Sequence, residues 1–306
     1  MRCFIQKILL FTFILSITYL ILVIFWGEFV PNYLRTNLIY KYNSYGHLNS
    51  RLHDVEGYAN VDILFIGSSR SYRHYDTRIF ADAGYYSFNL GSSSQTLLQT
   101  EILLKRYLDK LNPKFIIIDV YPGMITSDGI ESSIDLLSNS KFNIQTLDLF
   151  WKQKNIKVLN TAIFSVYKQI FYKRPKDNEK KIRGTDSYIP GGYVEKKYQG
   201  ISEYPIERLK VEPRDNQLKA LKEIVKILKI KNIDYVFVQS PNNAKMIYYD
   251  YDKFDQIFKT ENYLNYSAIK IIDDELHFFD QMHMNQLGTK IYDEYMLKNV
   301  INKYFK

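Results

Sequence analysis

Two stretches of the chain carry groups suited to acyl transfer. The first is VDILFIGSSRS, Val61–Ser71. Its apolar run suits a strand buried on both faces, the pattern of parallel sheets covered by helices. The run ends in Gly67-Ser68-Ser69. A glycine there lets the chain turn sharply and expose the next side chains at the carboxyl edge of the sheet, where open α/β sheets place their ligands. A serine in that position can serve as a nucleophile. The second stretch is FDQMHMNQLGTKIYDEY, Phe279–Tyr295, in which Asp280 and His283 stand three apart just before a final helix. A helical turn or a tight loop points both side chains the same way. An imidazole acting as general base needs a carboxylate on its Nδ1–H to fix the tautomer and to stabilise the imidazolium. The same four residues also read as a plain helix start, with Asp280 as a cap and His283 on the surface. His277 is the rival base, and Asp273 and Asp274 are the rival acids. The other histidines, His47, His53 and His74, form no spaced cluster with a second histidine. Neither a metal nor an organic cofactor is expected.

Alternating strand and helix patterns must position these groups. Expected strands are Asp62–Gly67, Tyr85–Leu90, Lys114–Val120, Ile233–Gln239 and a short fifth at Ile269–Ile272. Expected helices cover Ser71–Ala83, Ser94–Leu111, Arg214–Lys231, Lys253–Tyr266 and about Gln286–Tyr304. Ser94–Leu111 has a broad apolar stripe facing a sheet. This alternation implies right-handed crossovers and a three-layer, flavodoxin-like parallel α/β sheet of about five strands. Residues 121–213 read as an insertion over the carboxyl edge: loop-like at Tyr121–Ser140, helical at Thr146–Tyr172, then rich in charge and turn formers to Pro213. Long irregular segments of this kind tend to be lids or binding loops. Tyr188 and Tyr193 are its candidates for stacking on sugars.

Ile8 to Trp26 carries no charge, which matches the roughly 20 residues needed to cross a bilayer core. No small-residue cleavage site follows it, so it reads as an uncleaved anchor rather than a secretory signal. Arg2 and Lys7 precede the span and Glu28 follows it, which puts the amino terminus in the cytoplasm and the domain outside. The expected organisation is a tip and anchor at 1–30, a loosely packed connector at 31–60 with a short helix near His47–Val55, and the domain at 61–306. A net charge of +8 favours anionic partners such as phospholipid head groups or acidic polysaccharides. No nucleic-acid motif appears, so no nucleic-acid partner is expected. The single cysteine, Cys3, precedes the apolar run, which excludes an intrachain disulfide framework.

Taken together, G-x-S after the first strand and D-x-x-H before the last helix resemble the SGNH (GDSL-like) hydrolase superfamily. The resemblance covers roughly Asp62 to the end, apart from the insertion. It implies Ser69 as nucleophile, His283 as base and Asp280 as its partner, with Ser68 standing where the family usually has Asp. It also implies an oxyanion hole from the backbone N–H of Ser69 and of Gly91, in Asn89-Leu90-Gly91-Ser92. The family's third block, Gly-x-Asn-Asp, is missing: the third strand ends Asp119-Val120-Tyr121-Pro122-Gly123. Asn242 or Asn243 is the candidate substitute donor. Arg70, beside the nucleophile, either steers an anionic substrate or pairs with a carboxylate. The departures bring the chain nearer the divergent, membrane-anchored branch, which resembles D-alanyl-transfer and alginate O-acetylation proteins. The implied function is a serine O-acyl esterase or acyltransferase in the bacterial cytoplasmic (inner) membrane, with one span and an extracytoplasmic domain. Its implied partners are the membrane, an acyl donor, an envelope glycan and a membrane-bound O-acyltransferase. The alternative is a non-catalytic glycan-binding or scaffold member.

Overall fold

The computed structural model describes residues 1–43, 45–172, 179–197 and 206–305. The parts of the expected insertion at 173–178 and 198–205 lie outside the described residues. In chain order the elements are α1 (Arg2–Phe29), α2 (Leu48–Asp54), β1 (Ile63–Ile66), α3 (Ser69–His74), α4 (Thr77–Asp82), β2 (Ser87–Asn89), α5 (Leu97–Leu111) and β3 (Phe115–Asp119). The insertion supplies α6 (Pro122–Thr126), α7 (Ile130–Asn139), α8 (Ile144–Gln153), α9 (Ile156–Phe171), β4 (Ile182–Arg183), β5 (Asp186–Ile189), β6 (Tyr193–Lys196) and β7 (Glu207–Lys210). Then follow α10 (Asp215–Ile230), β8 (Asp234–Gln239), β9 (Met246–Tyr249), α11 (Tyr251–Phe258), β10 (Tyr263–Asn265) and α12 (Gln286–Met296).

Five strands pair in parallel in the order β10-β8-β3-β1-β2. This is the flavodoxin-like order, and its reversal point lies between β1 and β3. Side chains alternate across the sheet. Leu64, Ile66, Ile116 and Ile118 pack with α5 and α10, whereas Ile63, Phe65, Phe115 and Ile117 pack with Tyr75, Phe80 of α4 and Tyr292 and Met296 of α12. Three layers follow directly from β1 and β3 being apolar on both faces. Each fully buried Ile, Leu or Phe is worth about 1.5–3 kcal/mol, so this short strand set holds the site rigidly.

Several local expectations are corrected. The fifth strand is Tyr263–Asn265 rather than Ile269–Ile272, and the helix before it stops at Phe258. The loop expected over Tyr121–Ser140 contains α6 and α7. The helix expected over Thr146–Tyr172 is two helices. Lys154 takes a left-handed conformation that ends α8, and the Asn155 side chain accepts from the Lys157 N–H to start α9. The connector packs firmly rather than loosely. Leu48, Leu52 and Val55 join the main core, and the fully buried Arg51 donates from Nε to the Gly192 carbonyl at 3.0 Å.

Among the described residues one helix, Arg2–Phe29, is long and apolar enough to cross a membrane. Its carboxyl-terminal part lies along α9. The Tyr19 hydroxyl donates to Asn160, Val23 packs with Phe164 and Leu38, and Glu28 pairs with Lys168. The two helices approach closely at Gly27, where a Cβ would stand 2.3 Å from the Phe164 ring.

Candidate active site

The turn after β1 is built on close approach. A Cβ at Gly67 would lie 2.6 Å from the Asp119 carbonyl, so only glycine lets β1 pass β3 and turn at this point. Ser68 then caps α3, its Oγ accepting from the Arg70 N–H at 3.3 Å. A short side-chain acceptor is what an N-cap needs, and serine does there what aspartate would. Ser69 opens the helix, half-buried, with its amide among those that have no carbonyl partner within the helix.

Asp280 and His283 sit on a tight loop rather than a helical turn. Asp280 Oδ1 accepts from the Met282 and His283 amides at 2.8 and 2.9 Å, and the Phe279 N–H closes the loop on the His283 carbonyl at 3.1 Å. The same carboxylate reaches His283 Nδ1 at 2.8 and 3.0 Å, while Nε2 lies 2.7 Å from Ser69 Oγ. The sheet's front and the chain's tail therefore meet in one hydrogen-bonded line, Asp280–His283–Ser69. Burial raises the Asp280 carboxyl, but His283 and the two amides outweigh it and hold it below the usual carboxylate range. The carboxylate stays ionised and orients the imidazole. Phe279 stacks on the His283 ring at 5.5 Å. The Arg73 guanidinium, ion-paired to Asp186 of β5, lies 5.1 Å from the Phe279 centroid, and Lys196 of β6 lies 4.8 Å from it.

The remaining expected site residues take other places. Arg70 is fully buried and steers nothing in solution. It donates to the Ser240 carbonyl and hydroxyl and to the Pro241 carbonyl, and its Nε lies 3.5 Å from Asp119. The Gly91 N–H donates to Asn89 Oδ1 at 3.1 Å, so the second expected oxyanion donor is engaged inside the fold. Asn243 is spent on its own loop, donating to the Asp274 carbonyl and accepting from the Lys245 amide. Asn242 donates to the Asn243 carbonyl at 3.3 Å. His277 Nδ1 accepts from the Asp273 N–H at 2.8 Å, and Asp273 Oδ1 accepts from the Glu275 and Leu276 amides, so His277 and Asp273 form a turn. Tyr188 and Tyr193 are buried, at 4% and 1% exposure, and present no face to a sugar.

One contributor was not foreseen. His74, the last residue of α3, is fully buried. Its Nε2 accepts from the Met284 N–H at 3.0 Å, and its Nδ1 faces Ser240 Oγ at 2.8 Å. It joins the serine's helix, the end of β8 and the residue after His283, and so fixes the height of the imidazole above the nucleophile. The bond to Met284 requires an unprotonated Nε2. Burial, Arg70, His283 and Arg73 all push its pKa well below the ordinary histidine value. His47 is likewise lowered, to about 4, by burial and by Arg183 and Arg51. Both are neutral when folded and take up a proton when unfolded. Their contribution is complete above about pH 6.5 and is lost as pH falls towards the folded values, by about 1.4 kcal/mol per pH unit for each histidine. Urea titrations between pH 7 and 5 should show this slope, and His74→Gln should remove one histidine's share of it. A wild-type stability flat across that window would contradict the assignment.

A groove of about 790 Å³ is lined by Tyr121, Tyr248, Met246, Glu207, Arg208 and Arg214, and by Met282, the neighbour of His283 in the chain; Ser69, Asp280 and His283 are not among its lining residues. Among the described residues no group of three or more His, Cys, Asp or Glu could hold a metal ion.

No protein-family model matches the chain, and no curated protein matches it. Among solved structures, one similar chain is a protein assigned as an acylhydrolase from Bacteroides fragilis. It is 12% identical with a TM-score of 0.43, over 85% of this chain and 99% of that one. Another is a GDSL-like lipase from Bacteroides thetaiotaomicron, 11% identical with a TM-score of 0.42 over the same shares.

Proposed function

We propose that this chain is an SGNH-like serine hydrolase that acts as a membrane-anchored O-acyl esterase or acyltransferase on cell-envelope polysaccharide. The observation that carries the reading is the 2.7 Å separation of Ser69 Oγ and His283 Nε2, with Asp280 on the far nitrogen. His283 takes the Ser69 proton as Oγ attacks an ester or thioester carbonyl. Asp280 stabilises the imidazolium, and the proton passes to the leaving group as an acyl-serine forms. Water or a sugar hydroxyl then gives its proton to His283 and attacks the acyl-serine, and His283 returns that proton to Ser69 Oγ as it leaves. The Ser69 amide is the first oxyanion donor. The Gly91 amide can join it only by exchanging Asn89 Oδ1 for the developing oxyanion, which makes for a weaker hole than two free donors.

The polar, mixed-charge groove favours a hydrated acceptor over a long-chain lipid, and the apolar α1 favours a single-pass anchor in a bacterial cytoplasmic membrane, with the domain on the outer side. A membrane-bound O-acyltransferase fits as the acyl source. Labelling the full chain with a fluorophosphonate probe tests the chemistry. Wild type should be tagged, and Ser69→Ala should not. A wild type that stays untagged while binding polysaccharide would instead favour a glycan-binding scaffold.

A further inference from the structure

Between the sheet and the anchor, α8 and α9 form a hairpin that the catalytic reading does not use. Its outer side is apolar and open. Trp151 is 69% exposed, and Ile144, Ile156, Ile170 and Phe171 are also exposed. On α8, Ile144 and Trp151 are seven apart, and on α9 the exposed Ile156 and Ile170 are fourteen apart on one face, while Ile163 between them is half-buried against the Val23, Leu38 and Phe164 cluster. The Phe142 N–H donates to Gln169 at 2.7 Å, which places the start of α8 beside the end of α9. The hairpin's tip is therefore Gln153–Ile156.

The contacts of α9 with α1 set its level against any bilayer. Asn160 meets Tyr19, Phe164 meets Gly27, and Lys168 meets Glu28, so the two helices run side by side in the same direction. The part of α1 below these contacts, Arg2 to Thr18, measures only about 26 Å at ~1.5 Å per residue. A hydrocarbon core is about 30 Å thick, so a bilayer crossed by α1 must rise past Tyr19 to the level of the hairpin tip. There it meets Trp151 and Ile156. Exposed Lys141 and Lys154 border the stripe, as suits anionic head groups.

We propose that the α8–α9 hairpin is a lipid-facing element, whose apolar stripes lie in the head-group and upper acyl region of the leaflet on the domain's side. This rests on the membrane-anchor reading given above. The apolar surface of α1 from Leu20 to Phe29 is exposed on the flank that α9 leaves free, so helix and hairpin present one continuous surface to lipid.

The chain holds two tryptophans, Trp26 and Trp151, which allows a direct test. Full-length Trp26→Phe and Trp151→Phe variants would be placed in nanodiscs of phosphatidylethanolamine and phosphatidylglycerol containing acyl-brominated lipid. In Trp26→Phe, Trp151 should lose emission to the bromines, more to those near the head group than to those near the chain end, and iodide in the buffer should quench it little. Ile156→Glu in the same background should reduce the loss. If Trp26 is quenched and Trp151 is not, the anchor stands and this inference falls. If neither is quenched, the anchor reading falls with it. A Trp151 shielded from bromine and iodide alike would mean that a protein, not lipid, covers the hairpin.

Discussion

Ser69→Ala should lower kcat for hydrolysis of a small activated ester by at least about 10⁴-fold, with KM changed little. The hydroxyl contributes almost nothing to holding the substrate, and its loss removes the covalent route altogether. His283→Ala should fall to a similar floor, and the double variant should be no worse than either single one, because nucleophile and base act as one unit. Thermal melting should stay near wild type for Ser69→Ala, since the serine is only half-buried and its helix is capped by Ser68. Steady-state kinetics on an acetyl ester with all three variants checks this. A loss of less than about tenfold in Ser69→Ala would remove the serine from the mechanism.

The largest effect on stability should come from Arg70→Met. Both Arg70 and Asp119 are inaccessible to solvent, and removing one partner of such a pair costs about 3–5 kcal/mol. The Ser240 and Pro241 carbonyls lose their donor at the same time. Burial already pushes the Asp119 carboxyl above its ordinary value against the pull of Arg70. Without the guanidinium the carboxyl would rise further, so the penalty should shrink as pH falls. Adding Asp119→Asn to Arg70→Met should recover part of the loss. Urea denaturation of the single and double variants measures the coupling. An Arg70→Met protein within about 1 kcal/mol of wild type would show that the pair is not holding the edge of the sheet together.

The core of the fold was legible because β1, β3 and β8 are apolar on both faces and stop at small or polar residues. Ser69, His283 and Asp280 were legible because G-x-S after the first strand and D-x-x-H before the last helix together resemble the SGNH hydrolases, whereas Asp280-x-x-His283 alone reads equally as a plain helix start. The failures share a cause. Tyr263–Asn265 is an edge strand of three residues with one neighbour, too short for a period, while Ile269 and Ile272 offered a more apolar decoy that folds as a turn. Tyr188 is a candidate for stacking on sugars by sequence, yet its hydroxyl finds Asp54 at 2.8 Å across the domain, and that partner permits its burial. His74 carried no signal because Ser240 and Met284 approach it only after folding. Gly91 was placed in the correct turn, but the orientation of its amide depends on the Asn89 rotamer, which residue identities do not specify.

The chain of contacts from Asp186 through Arg73 and Phe279 to the imidazole ties the insertion to the reaction itself. Such a segment is commonly pictured as an exchangeable recognition cassette, free to diverge while the engine beneath is untouched. Here transplanting or trimming it would withdraw the carboxylate that holds the arginine and leave the aromatic ring behind the base free to tilt. Under the proposed mechanism, a change in the insertion would therefore also be a change in the setting of the imidazole.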